Sequence, residues 1–249
     1  MTRFTRFYQW LTATPPLFEL TPPFCSLTTL DPAPLDSQPY TGNARLGFVY
    51  QYLVTQALNN SKRYDVVLDE LQIQSPEGRT LGAIDLIVYD HQASQHQHWE
   101  LAIKFYLLHN GRWYGPNAHD QLNKKLDRML NHQLLMSQTA GFVEQYPQYQ
   151  SLESKLLLQG RLYINPFQPE TIPSHCLGYA LNPSQIIGYW CYVSQWEQIN
   201  KPLFALDKHQ WAVGNGEMGE PVTLDSERFV HAQTQDGEFW FIVPDTWPN

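Results

Sequence analysis

Apolar positions along the chain switch between a helical and an alternating period, and the switches mark out the elements. NARLGFVYQYLVTQALNN (43–60) spaces Leu46, Tyr50, Leu53 and Ala57 as one helix face, with Asn43 placed to cap it. Gln51 falls on or near that apolar side. Three extended runs follow. YDVVLDELQIQ (Tyr64 to Gln74) ends in the turn signal SPEGR, and TLGAIDLIVYD (Thr80 to Asp90) ends in the polar loop HQASQHQ. HWELAIKFYLLH (His98 to His109) ends in NGR. Together they predict a three-stranded antiparallel meander. GPNAHDQLNKKLDRMLNHQLLMSQ (115–138) then predicts a second helix, with Asn117 as its cap and Asp120 completing a capping box. Leu122, Leu126, Met129 and Leu130 form its apolar stripe, and Gln121, Lys125, Arg128 and His132 lie on another face. KLLLQGRLYINP (Lys155 to Pro166) predicts a further strand.

The flanks read differently. Residues 1–42 carry Pro15, Pro16, Pro22, Pro23, Pro32, Pro34 and Pro39, yet also Phe18, Phe24 and Tyr40. That mixture predicts a short N-terminal helix and an extended arm docked on the body. Beyond residue 170, GYWCYV, QWAV and FWFIVP predict short strands, while SQIIGYWCYVSQWEQI is compatible with strand or partial helix. The expected organisation is an arm (1–42), an α/β core (43–170) and an aromatic-rich C-terminal extension packed on that core (171–249).

Composition narrows the function classes. Of 249 residues 43% are hydrophobic and 16% charged, which supplies a packed core and argues against disorder. A net charge of −8 argues against broad adhesion to nucleic acid but leaves room for a local basic groove. Three widely spaced cysteines, Cys25, Cys176 and Cys191, support neither a disulfide framework nor a cysteine zinc site. The start lacks a signal-peptide pattern and no apolar run approaches the length of a membrane span, so a cytoplasmic location without membrane contact is expected.

Charges inside the meander point to chemistry. By strand alternation Glu100, Ala102 and Lys104 share one face, and Asp85 on the preceding strand faces Glu100 in a matched register. Two carboxylates brought together repel unless a cation joins them, and Mg²⁺ or Mn²⁺ would take oxygen ligands from both. Lys104 would then position water or a phosphate oxygen. The alternative is structural: a Glu100–Lys104 ion pair, with Asp85 bonded to a turn or helix end. Gln121 is a further catalytic candidate, and Lys124, Lys125 and Arg128 are candidate phosphate contacts; a solvated helix face explains all four equally well. Glu70 is a possible third acid. His91, His96 and His98 read as a polar loop rather than a zinc site, and the tryptophans as core packing more than stacking platforms.

Helix, meander, helix and strand, with Gly82-Ala83-Ile84-Asp85 and then Glu100, resemble the core of the PD-(D/E)XK nuclease-like superfamily, the restriction-endonuclease-like fold. The stretches RLGFVYQYL, WELAIKFYL and GPNAHDQLNKKLDRMLNHQL also look like the bacterial family called domain of unknown function 1853, itself grouped by resemblance with those nucleases. The resemblance implies metal-dependent hydrolysis of nucleic acid phosphodiester bonds, with Asp85 and Glu100 as metal ligands, and a polar residue near the site at Gln121. Two positions depart from the pattern. The lysine of D/E-x-K would fall at Ala102, with Lys104 two residues on, and Gln51 stands where the first helix often supplies a glutamate. The leading expectation is metal-dependent cleavage of nucleic acid, with Asp85 and Glu100 holding the ion and Lys104 positioning water or phosphate; the departures, with the net charge of −8, speak for the alternative, a catalytically inactive nuclease-like protein that binds nucleic acid or a protein partner.

Overall fold

The computed structural model describes residues 2–35, 40–75, 77–149, 151–215, 219–223 and 227–249; Pro39 of the arm and Pro76 of the SPEGR turn lie outside the described residues. The protein is a mixed α/β chain with a large, mostly antiparallel sheet and four helices. Helices α1 (Arg3–Ala13) and α2 (Leu46–Asn59) precede β1 (Tyr64–Gln74), β2 (Thr80–Asp90), β3 (Gln95–His109) and the short β4 (Arg112–Tyr114). Then come α3 (Leu122–Asn131), a 3₁₀ turn (Gln133–Gln138), α4 (Ala140–Gln145) and β5 (Glu153–Ile164). The remainder holds β6 (His175–Cys176), β7 (Tyr179–Ala180), β8 (Ile186–Tyr192), β9 (Leu203–Ala205), β10 (Val230–Thr234) and β11 (Phe239–Val243).

Two compact units form. The first contains Met1–Pro16, Leu20–Ile103 and Leu126–Gln159; the second contains Leu17–Glu19, Lys104–Lys125 and Gly160–Asn249. In the first unit β1, β2 and β3 pair antiparallel in sequence order, as the expected meander requires. The bounds of β1 and β2 match the hydrophobic runs, because turn chemistry ends each one. Helix α1 begins at Thr2, whose hydroxyl accepts from Thr5 N, and buries Phe7, Tyr8 and Leu11 on one face. The arm is held by backbone pairing: Cys25 N donates to Leu156 O and Leu156 N to Pro23 O. Gln159, fully buried on β5, accepts from Tyr50 of α2 at 2.8 Å and donates to Leu11 O and Thr14 O at the end of α1. One amide thus satisfies groups from two helices, which is why a polar residue is tolerated in an apolar strand.

In the second unit β8 lies between β5 and β11, parallel to both, and β11, β10 and β9 follow antiparallel. Arg161 on β5 is only 3% exposed. Its guanidinium donates to Trp211 O, Ala212 O and the Tyr163 hydroxyl and lies 3.4 Å from the Phe239 ring centroid. That is a cation held by carbonyl dipoles and a π face. The arm residue Phe18 is buried here, bridging to Leu181.

Several local expectations change. Helix α2 starts after Arg45, and Asn43 accepts from Arg45 N instead of capping the helix. Helix α3 starts at Leu122, not Asn117. Residues 115–121 turn back on themselves: Gly115 N bonds Asp120 O, Ala118 takes φ 64°, and Gln121 bridges to Tyr114. Asn117 therefore caps a turn, and Gln121 lies just before the helix instead of on one of its faces. Strand β3 starts at Gln95, so His96 and His98 are strand residues rather than loop residues. QWAV is turn and 3₁₀ structure, while Val193–Ile199 after β8 is a 3₁₀ helix, which settles the ambiguous run as strand followed by helix.

Between Gln159 and Arg161 sits Gly160, at φ 150°; a Cβ there would fall 1.6 Å from the backbone oxygen of Lys104. Gly160→Ala is expected to destabilise the protein by about 3 kcal/mol or more, through backbone overlap that no rotamer relieves. Urea unfolding monitored by tryptophan fluorescence measures the loss.

Candidate functional site

The meander places Asp85 and Glu100 next to each other. The β2–β3 ladder runs through Ile87↔His98 and Leu86↔Trp99, so Asp85 comes next, opposite Glu100. The ladder's recorded pairs stop there, and Leu101 N instead donates to Asp85 Oδ2 at 2.8 Å. The Asp85 carboxylate takes the place of a strand carbonyl at the point where regular pairing ends. From α2, Gln51 Nε2 reaches Asp85 O at 3.4 Å. Gln51 is thus near the acids, as expected, but it touches the backbone.

Glu100 is the deeper of the two acids, with 0% exposure. One oxygen accepts from Gln133 Nε2 at 2.6 Å and the other pairs with His98 Nε2 at 3.0 Å. His98 Nδ1 in turn meets Ser137 Oγ at 3.0 Å. With Glu100 ionised, Nε2 carries the proton and donates to it, leaving Nδ1 to accept the Ser137 hydroxyl. Burial pushes the His98 imidazole down to about 4, outweighing the nearby Asp85 charge and the Leu134 carbonyl, which pull the other way. At neutral pH His98 is therefore uncharged, and its 3.0 Å contact with Glu100 is a hydrogen bond, not an ion pair. His98, Gln133 and Ser137 were not among the sequence candidates. The signal was present as H-x-E within an apolar strand, which alternation puts on one face.

Lys104 belongs to the second unit. Its ammonium meets Asp120 Oδ2 at 2.6 Å, and the Tyr106 hydroxyl donates to the other Asp120 oxygen at 3.1 Å. The Glu100–Lys104 ion pair considered from sequence is replaced by two separate arrangements, Glu100 with His98 and Gln133, and Lys104 with Asp120. Glu70 is exposed at φ 48°, between the pairs Asp69↔Leu86 and Leu71↔Ile84 of an unbroken stretch of the β1–β2 ladder. Lys124 and Arg128 are exposed and Lys125 is half-buried on α3, and Gln121 is half-buried before it. His91 pairs with Asp65, and His96 packs against Tyr89 and Tyr149.

As arranged, the donors do not fit a divalent ion. Such ions take six or more oxygen ligands from carboxylates, carbonyls and water. Here both oxygens of the fully buried Glu100 already accept hydrogen bonds, and one oxygen of the half-buried Asp85 is held by Leu101 N. Among the described residues no group of three or more His, Cys, Asp or Glu side chains is placed to hold a metal. No helix among them is long and apolar enough to cross a membrane.

The depressed His98 imidazole has a measurable consequence. From its ordinary 6.5 to about 4 the unfolded chain binds a proton that the folded chain excludes, so stability present above pH 6.5 is lost as pH falls through that window. The loss reaches about 3 kcal/mol. His98→Gln is expected to flatten this part of the profile, read from urea midpoints between pH 7.5 and pH 4.

No curated protein and no solved structure matches the chain. The family model described as Domain of unknown function (DUF1853) matches residues 6–235, a span that takes in most of α1, the meander and its acid pair, α3 and most of the second unit, and the chain belongs to that family.

Proposed function

We propose that the protein is a nuclease-like member of the PD-(D/E)XK group whose acid pair is structural, and that it binds nucleic acid without cutting it. The observation that carries this reading is Glu100: sealed from water, with each oxygen met by a side-chain donor, His98 on one side and Gln133 on the other. A hydrolytic carboxylate needs a free oxygen for metal or water. Lys104, committed to Asp120, and the neutral Gln51 on Asp85 O point the same way. Lys124 and Arg128, exposed one turn apart on α3, offer cations to a phosphate backbone, and they favour nucleic acid over a protein partner. With a net charge of −8 the binding is local and weak at physiological salt.

A second reading, Mg²⁺- or Mn²⁺-dependent phosphodiester hydrolysis, is favoured by one observation, the opposed placement of Asp85 and Glu100. The two readings separate cleanly. Calorimetry with Mn²⁺ at about millimolar concentration is expected to give no binding heat, and incubation with DNA and RNA plus either metal no cleavage. Salt-sensitive oligonucleotide binding is expected to weaken about threefold or more in Lys124→Ala/Arg128→Ala. Metal-dependent cleavage that disappears in Asp85→Ala and Glu100→Ala would establish the second reading instead.

A further inference from the structure

Within the second unit, Arg161 of β5 and His231 of β10 are buried side by side and share one hydroxyl. Arg161 Nη1 donates to the Tyr163 oxygen at 3.1 Å, and His231 Nε2 lies 2.9 Å from the same oxygen. Among the described residues no carboxylate pairs with Arg161, whose other partners are the carbonyls of Trp211 and Ala212. The second imidazole nitrogen, Nδ1, is shielded from solvent and has no hydrogen-bond partner. Phe241 stacks on the ring at 4.0 Å, and Phe239, Trp211 and Phe105 surround it. The charged and titratable groups that face His231 are thus Arg161 and Tyr163, both on β5, while β3, β11 and the segment around Trp211 present rings.

Residues 206–214 lie over this cluster. Leu206 N donates to His231 O, the Trp211 ring meets the imidazole edge-on at 5.1 Å, and Arg161 holds the Trp211 and Ala212 carbonyls at 3.0 Å. A neutral imidazole suits the arrangement, because Tyr163 can accept from Arg161 and donate to Nε2. A protonated one does not. Both ring nitrogens then carry protons, Nδ1 finds no acceptor, and the Tyr163 proton loses the imidazole as its own. A second cation also stands beside Arg161 with no counter-charge. The Phe241 face attracts a cation but offers the Nδ1 edge no acceptor. Burial first, and the Arg161 charge second, hold the imidazole well below its ordinary 6.5.

We propose that His231 is a proton-operated latch: on taking up one proton it frees residues 206–214 from Arg161 and opens that side of the second unit. The latch stands apart from the acid pair and from the nucleic-acid reading. Opening returns the imidazole to water and to its ordinary 6.5, so below that pH the open form binds a proton that the closed form excludes. The opening equilibrium is therefore flat above pH 6.5 and rises about tenfold for each pH unit below it, until the closed form itself takes up the proton.

The test is amide hydrogen exchange of the full chain, read by mass spectrometry from about pH 7.5 to about pH 4.5 and corrected for the intrinsic pH dependence of exchange. Peptides covering residues 206–214 are expected to lose protection about tenfold per pH unit below pH 6.5, while α2 and β1 keep theirs. His231→Phe and His231→Gln each remove the titrating group, and the slope in these peptides is expected to vanish. Circular dichroism identifies which of the two retains the fold. His98→Gln, which removes the buried histidine of the first unit, is expected to leave the slope intact. Protection of residues 206–214 that is independent of pH in the unaltered protein overturns the latch, as does a slope that survives in a folded His231 variant. A loss shared equally by α2 and β1 reports unfolding of the whole chain and overturns it too.

Discussion

A carboxylate cut off from water has to be met by donors, and much of the first unit's interior is arranged around that demand at Glu100. Gln133 and His98 each supply one hydrogen bond, and His98 is kept neutral by the same burial. Ser137 then completes the imidazole's second nitrogen. The 3₁₀ turn after α3 brings Gln133 and Ser137 to the strand, so its position is tied to the buried Glu100 on β3. Replacing one partner would leave a buried group unsatisfied at full desolvation cost, which makes the network cooperative.

This arrangement separates likeness of fold pattern from likeness of chemistry. Opposed acids on neighbouring strands are what the nuclease-like pattern leads one to expect, and β2 and β3 do set Asp85 against Glu100. The use of those acids differs. Asp85 stands in for a backbone acceptor where pairing ends, and Glu100 belongs to the core. Lys124 and Arg128, by contrast, stand exposed on α3.

Legibility from sequence followed the range of the interactions. The bounds of β1 and β2 were readable because alternation and turn residues are local. Helix α3 was placed four residues too early because Asn117 and Asp120 imitate a capping box while closing a turn with Gly115. His98, the first residue of the third extended run, was grouped with the loop histidines because nothing adjacent reveals that Glu100 needs a donor. Lys104 faces an acid, but that acid is Asp120, sixteen positions away in the chain, which strand periodicity does not report. Gln159 and Arg161 carried a usable signal: polar residues within LLLQGRLYI imply buried partners, though not which ones.

The close approach at Gly160 reaches beyond stability. Lys104's backbone oxygen occupies the space a side chain at 160 would need. A homologue carrying any other residue at that alignment column must have shifted the two segments apart, and with them the origin from which its lysine reaches. One small position thus serves as a marker for which relatives share this geometry and which have drifted to another.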